Sequence, residues 1–111
     1  MKRTLLAAVL AISATCALAQ SYPSRPVKQV VPFPAGCATD QVARVLGQQL
    51  QDVLKQTVIV ENKAGAGGVI GADSVAKSPA DGYTLLLGTI ASHAINPALQ
   101  PKMPYDAAKD F

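Results

Sequence analysis

The sequence predicts an α/β fold around a parallel sheet, and three observations carry that expectation. Strand-like and helix-like stretches alternate along the chain in the order strand, helix, strand, helix, strand. The apolar runs read as strands are short and rich in β-branched residues, as in strands covered on both faces. Each pair of runs is separated by enough residues for a helical crossover, and right-handed crossovers make the joined strands parallel.

Taken in order, the chain opens with Lys2 and Arg3, an uncharged apolar stretch over 4–15, and Ala17-Leu18-Ala19. That is the pattern of an export signal cleaved after Ala19. The apolar stretch is well short of the roughly 20 residues that span a bilayer. A lipoprotein reading would acylate Cys16, but Ser13, Ala14 and Thr15 lack the Leu that such a site carries. Residues 27–33 form the first predicted strand, with β-branched Val27, Val30 and Val31 and a stop at Pro32 and Pro34. The small, turn-prone residues 34–39 follow. Val42, Val45, Leu46, Leu50, Val53 and Leu54 then recur at spacings of three and four, which predicts an amphipathic helix over 40–55. Residues 57–60 predict the second strand, 62–68 a Gly-rich loop, 69–77 a second helix, and 83–87 the third strand. Asn96-Pro97 and Pro101 predict a loop-rich 89–104 with no long regular element, and 106–110 a helical turn. Ligands of parallel sheets lie beyond the carboxyl ends of the strands. The functional edge is therefore expected at loops 34–39, 62–68 and 88–96.

Charge narrows the function classes. Of ten basic residues, two leave with the signal, so residues 20–111 carry one more positive than negative charge. The remaining Lys and Arg are scattered, which argues against nucleic acid or an anionic membrane surface as partner. Cys16 also leaves with the signal. Cys37 then stands alone in an oxidising compartment, with no internal disulfide available.

Gly36-Cys37-Ala38-Thr39 lies where a strand feeds a helix, so unpaired first-turn amides and the helix dipole suit a carboxylate. The same residues also fit a plain turn with Thr39 or Asp40 as N-cap. Asp40 cuts both ways, because it can satisfy the helix start yet would repel a nearby carboxylate. Gly65-Ala66-Gly67-Gly68 resembles the start of a dinucleotide fingerprint, but Ile70 stands where the third Gly belongs and no acid lies near Gly88. Cys37 and His93 on neighbouring loops offer a rival function, an exported thiol-dependent enzyme. One His and one Cys at unrelated positions give no metal-ligand spacing.

A family resemblance joins these segments. Residues 31–44 (VPFPAGCATDQVAR), 60–72 (VENKAGAGGVIGA), 81–86 (DGYTLL) and 92–99 (SHAINPAL) resemble, in order, the motifs of the Bug receptors, substrate-binding proteins of tripartite tricarboxylate transporters. The resemblance implies a periplasmic, flytrap-like α/β receptor of two domains, not an enzyme and without cofactor. It implies a small organic acid as ligand (a di- or tricarboxylate, an amino acid or an aromatic acid), membrane components of a transporter as partners, and a monomeric receptor. It places Phe33, Ala35, Gly36, Cys37, Ala38, Thr39 and Asp40 at one ligand carboxylate, with Ser92 and His93 in the same wall.

Two departures from the family accompany it. Cys37 stands where the family usually has Gly, and a side chain at a positive φ would cost on the order of 1 kcal/mol and narrow the cradle. Family members are also much longer, so residues 20–111 are expected to be the N-terminal part of the first domain. With the second domain absent, the chain is expected to be a fragment of marginal stability, holding half a cleft.

Overall fold

The structure, a computed structural model, describes residues 22–111; the predicted export signal and Cys16 lie outside the described residues. Val27–Val31 forms β1, the middle strand of a three-stranded parallel sheet. It pairs with β2 (Val58–Asn62) on one side and β3 (Thr84–Leu86) on the other, Val31 lying opposite Asn62 and Val30 opposite Leu86. Its central place explains its composition, since Val27, Val30 and Val31 are at most 1% exposed. Pro32, which has no N–H to donate, follows the strand's last residue.

Ala38–Leu54 forms α1, packed over β1 and β2, and Val69–Ala76 forms α2, packed over β1 and β3. Alternate residues of β1 and its continuation meet the two helices. An added Cβ on Gly47 of α1 would reach Gln29, and one on Gly71 of α2 would reach Pro32. The α/β expectation therefore holds, with helices on both faces. The sheet order β2-β1-β3 means that the chain steps one way from β1 and returns past it to β3. The reversal opens a crevice between the carboxyl ends of β1 and β3, the usual ligand position in such sheets.

The packed face of α1 is not its apolar stripe. Asp40, Ala43 and Gly47 are buried, whereas Val42, Val45 and Val53 are 59%, 63% and 78% exposed. Small size selects the buried side. At Gly47 the helix lies so close that a Cβ would stand 3.3 Å from Gln29 Oε1 and 3.5 Å from a Val60 methyl. Gly71 of α2 is tighter still, its Cβ position lying 2.7 Å from Lys63 O and 2.8 Å from Pro32 Cα. The approach at Gly71, made against backbone atoms, is open only to glycine, whereas a Cβ at Gly47 would require the Gln29 side chain to give way.

Beyond β3 the stretch expected to be loop-rich holds two short helical elements. Ala91–Ile95 makes a wide π turn that runs directly into the short helix α3, Asn96–Leu99. Pro97 does not break it because a residue at the start of a helix needs no N–H of its own. The carbonyl of Ser92, five residues before Pro97, takes the Tyr105 hydroxyl at 2.6 Å instead. Tyr105 is buried with Val69 and Ala72 in a small core that Leu86, Met103 and Ala107 flank. Residues 106–110 close one turn, Asp110 N–H donating to Asp106 O at 3.0 Å, without becoming a helix.

Candidate functional site

The loop after β1 is built around one buried carboxylate. Asp40 is 2% exposed, and three donors reach its oxygens. Gly36 N–H donates to Oδ2 at 2.8 Å, Arg44 Nε to the same oxygen at 2.9 Å, and Asn62 Nδ2 to Oδ1 at 2.9 Å. Asn62 Nδ2 also donates to Phe33 O at 3.1 Å, so the end of β2 is tied to both ends of this loop. The Arg44 hydrogen bond, followed by those from Gly36 and Asn62, holds the Asp40 carboxyl at a pKa of about 2 against the opposing effect of burial.

Cys37, rather than Thr39 or Asp40, caps the helix. Its Sγ accepts the Asp40 N–H at 3.4 Å, and its backbone is extended, with φ −72°. The anticipated strain at this position is therefore absent. The positive φ, +86°, falls on Gly36, where glycine is retained. Gly36 N–H is taken by Asp40, so the cradle narrows to Ala38 and Thr39, whose N–H groups have no backbone acceptor among the described residues. Ala38 is exposed and Thr39 half-buried, Phe33 and Cys37 are half-buried, and Ala35 is exposed.

The other two loops are joined by side chains to this edge. Residues 65–68 all have positive φ, including Ala66 at +48°, and turn the chain sharply into α2. Asn96 Nδ2 donates to Gly67 O at 2.9 Å, linking the third loop to the second. Ser92 is fully buried. Its Oγ bonds Thr89 N–H and Thr89 O, both at 3.0 Å, and meets His93 Nδ1 at 2.8 Å. Ser92 thus braces the turn from within.

His93 is placed differently from Cys37. Its ring packs 4.8 Å from the Phe111 ring and against Gly88, in a hollow along β3 that Val75, Ala76 and Leu86 also line. Among the described residues no hydrogen bond joins His93 to Cys37, so the thiol-imidazole pair is not assembled.

A separate cleft of about 310 Å³ opens at the β1/β3 crevice, lined by Ala38, Thr39, Val42, Leu87, Gly88 and Thr89. The hollow beside His93 is more enclosed, but the cleft is the one that Ala38 and Thr39 line. Its volume is at the lower end of the ~300–1,000 Å³ typical of small-molecule sites. Asn62, Asn96, Thr89 and Tyr105 organise this edge without having been singled out in the sequence. Asn62 and Asn96 have partners 22 and 29 residues away, beyond the reach of any local pattern.

The tripartite tricarboxylate transporter family receptor, TctC, matches residues 42–111. BugT of Bordetella pertussis is 53% identical over 94 residues, 84% of this chain and 29% of BugT. The chain spans about a third of the length of the curated relatives it matches. Among solved structures, MatC of Rhodopseudomonas palustris with bound malate is similar with a TM-score of 0.78 and 42% identity, over 81% of this chain and 31% of MatC. An R. palustris protein solved with adipate gives a TM-score of 0.75 and 42% identity, over 79% of this chain and 29% of that protein. With the doubly covered parallel sheet and the crevice at its strand ends, these matches establish that the chain belongs to the tripartite tricarboxylate transporter receptor family.

Proposed function

We propose that this chain supplies one wall of a solute-binding cleft that captures a small organic carboxylate, acting as the N-terminal part of the first domain of a two-domain periplasmic receptor. The single observation that supports this reading best is that Ala38 and Thr39, whose N–H groups have no backbone acceptor among the described residues, line a cleft at the β1/β3 crevice. The positive end of α1 adds to their attraction for an anion. Of the residues expected at the ligand, Ala38 and Thr39 make the direct contact. Gly36, Cys37 and Asp40 shape the turn, Phe33 and Ala35 lead into it, and Ser92 braces the opposite wall through its bonds to Thr89, while His93 sits in the neighbouring hollow. Malate in MatC and adipate in the second R. palustris protein support a dicarboxylate as ligand class. Export by a signal cleaved after Ala19 and delivery to membrane components of a transporter complete the proposal, which calls for no cofactor and no bond-making step.

Equilibrium dialysis against labelled malate, with the neutral diamide of malate as control, tests it. The reading predicts weak, saturable binding of the acid and none of the diamide, since only the acid is held by charge at the amides. Equal retention of the two compounds, or of neither, would count against it. Mass spectrometry of the exported protein tests the cleavage, with Gln20 expected at the mature N-terminus.

A further inference from the structure

Resting on the carboxylate reading above, we propose that Arg44 is a specificity-determining residue: it neutralises the Asp40 charge that would otherwise repel an organic acid from the Ala38 and Thr39 amides. The problem it solves is set by the loop. Asp40 follows Thr39 directly, and its Oδ2 sits on the Gly36 N–H, so its negative charge underlies the same turn that offers amides to the ligand. Water reaches Asp40 poorly, because the residue is 2% exposed. Two carboxylates a few ångströms apart in such surroundings repel strongly.

Gly36 N–H and Asn62 Nδ2 are neutral donors that hold the Asp40 oxygens without cancelling their charge. Arg44 supplies the cation. Its Nε bonds Asp40 Oδ2, and its Nη2 reaches Asn62 Oδ1 at 3.4 Å, which fixes the guanidinium beside the carboxylate. Lys28 and Lys63 are engaged with Glu61. With Arg44 in place the turn is neutral beneath the ligand, and the amide dipoles decide what binds.

The test follows the Ala38 and Thr39 amide resonances of the full chain during titration with malate, a method that reads weak binding. Wild-type protein and Arg44→Lys are expected to shift both resonances with similar midpoints. Arg44→Gln is expected to bind malate about tenfold or more weakly, the order expected for one uncompensated charge nearby. Combining Arg44→Gln with Asp40→Asn should restore the wild-type midpoint, because the turn is neutral again. Asp40→Asn alone, which leaves Arg44 unopposed, should bind malate more tightly than wild type. It keeps the proposal falsifiable should Arg44→Gln lose its dispersed spectrum. Unchanged binding in Arg44→Gln, no rescue in the double variant, or weaker binding in Asp40→Asn would each overturn the role of Arg44 alone. Failure of wild-type resonances to move with malate would overturn the carboxylate reading, and this inference with it.

Discussion

At its first turn α1 buries a carboxylate and gives each oxygen a donor, while along its outward side the same helix exposes Val42, Val45 and Val53 to solvent. The two regions invert the usual distribution of polarity. At the strand ends, polar groups are inside because each finds a partner, and the partners come from β2, from α1 and from the loop itself. A buried polar group costs free energy only when left unpaired, so a satisfied network can stand where a core would. Along the outer stripe, the apolar side chains contribute little to the fold of the described residues, because they stay in water. The small residues Ala43 and Gly47 set the distance between helix and sheet. The stability of α1 against the sheet therefore depends on closeness at the small face and on hydrogen bonds at the turn.

Substitutions can break or sharpen this contrast, the largest effect being expected on the small face. Gly47→Leu should destabilise the chain by about 3 kcal/mol, the upper end of overpacking costs, because its side chain must enter the space held by Gln29, Val58 and Val60. Urea denaturation measures it, and a loss no greater than that of a surface change would show that the small face is not closely packed. Tyr105→Phe tests the polar satisfaction of the third loop. It leaves Ser92 O without its donor while keeping the ring, and should cost about 1–3 kcal/mol.

Acid titration probes the first loop. The Asp40 carboxyl titrates at about 2 in the folded chain against an ordinary 3.8, so the folded state favours its ionised form. The stability this confers is present above the ordinary value and is lost as pH falls from 3.8 towards about 2. The thermal midpoint should therefore fall across that window, and less so in Asp40→Asn. The smallest effect is expected on the outer stripe, where Val53→Ser should change stability by no more than about 0.5 kcal/mol. A larger loss would mean that the stripe is packed in solution.

The sheet was legible in the sequence because β-branched runs and helical spacers are local signals. Val27, Val30 and Val31 announce a strand, and the glycines before Val69 announce a turn into a helix; the run 57–60, whose continuous β-branched residues suggest cover on both faces, instead forms the edge strand β2 with Ile59 half exposed. The face of α1 was not legible. Periodicity detects where apolar residues recur, but Gly47 and Ala43 attract no notice in a hydrophobic pattern although they decide the packing. The candidate site was legible in its location and only partly in its parts. The turn 36–40 was found, yet the Cys37 Sγ acts as cap and Gly36 carries the positive φ. Of the partners of Asp40, Gly36 and Arg44 stand four residues away on either side and are local, whereas Asn62 comes from another strand.

A crystal structure of the chain grown with malate tests the central claim most directly. One malate carboxylate is expected within hydrogen-bond distance of the Ala38 and Thr39 nitrogens, in the cleft walled by Leu87, Gly88 and Thr89. Malate seated beside His93 and Phe111, with those two amides bonded to protein atoms, would contradict it.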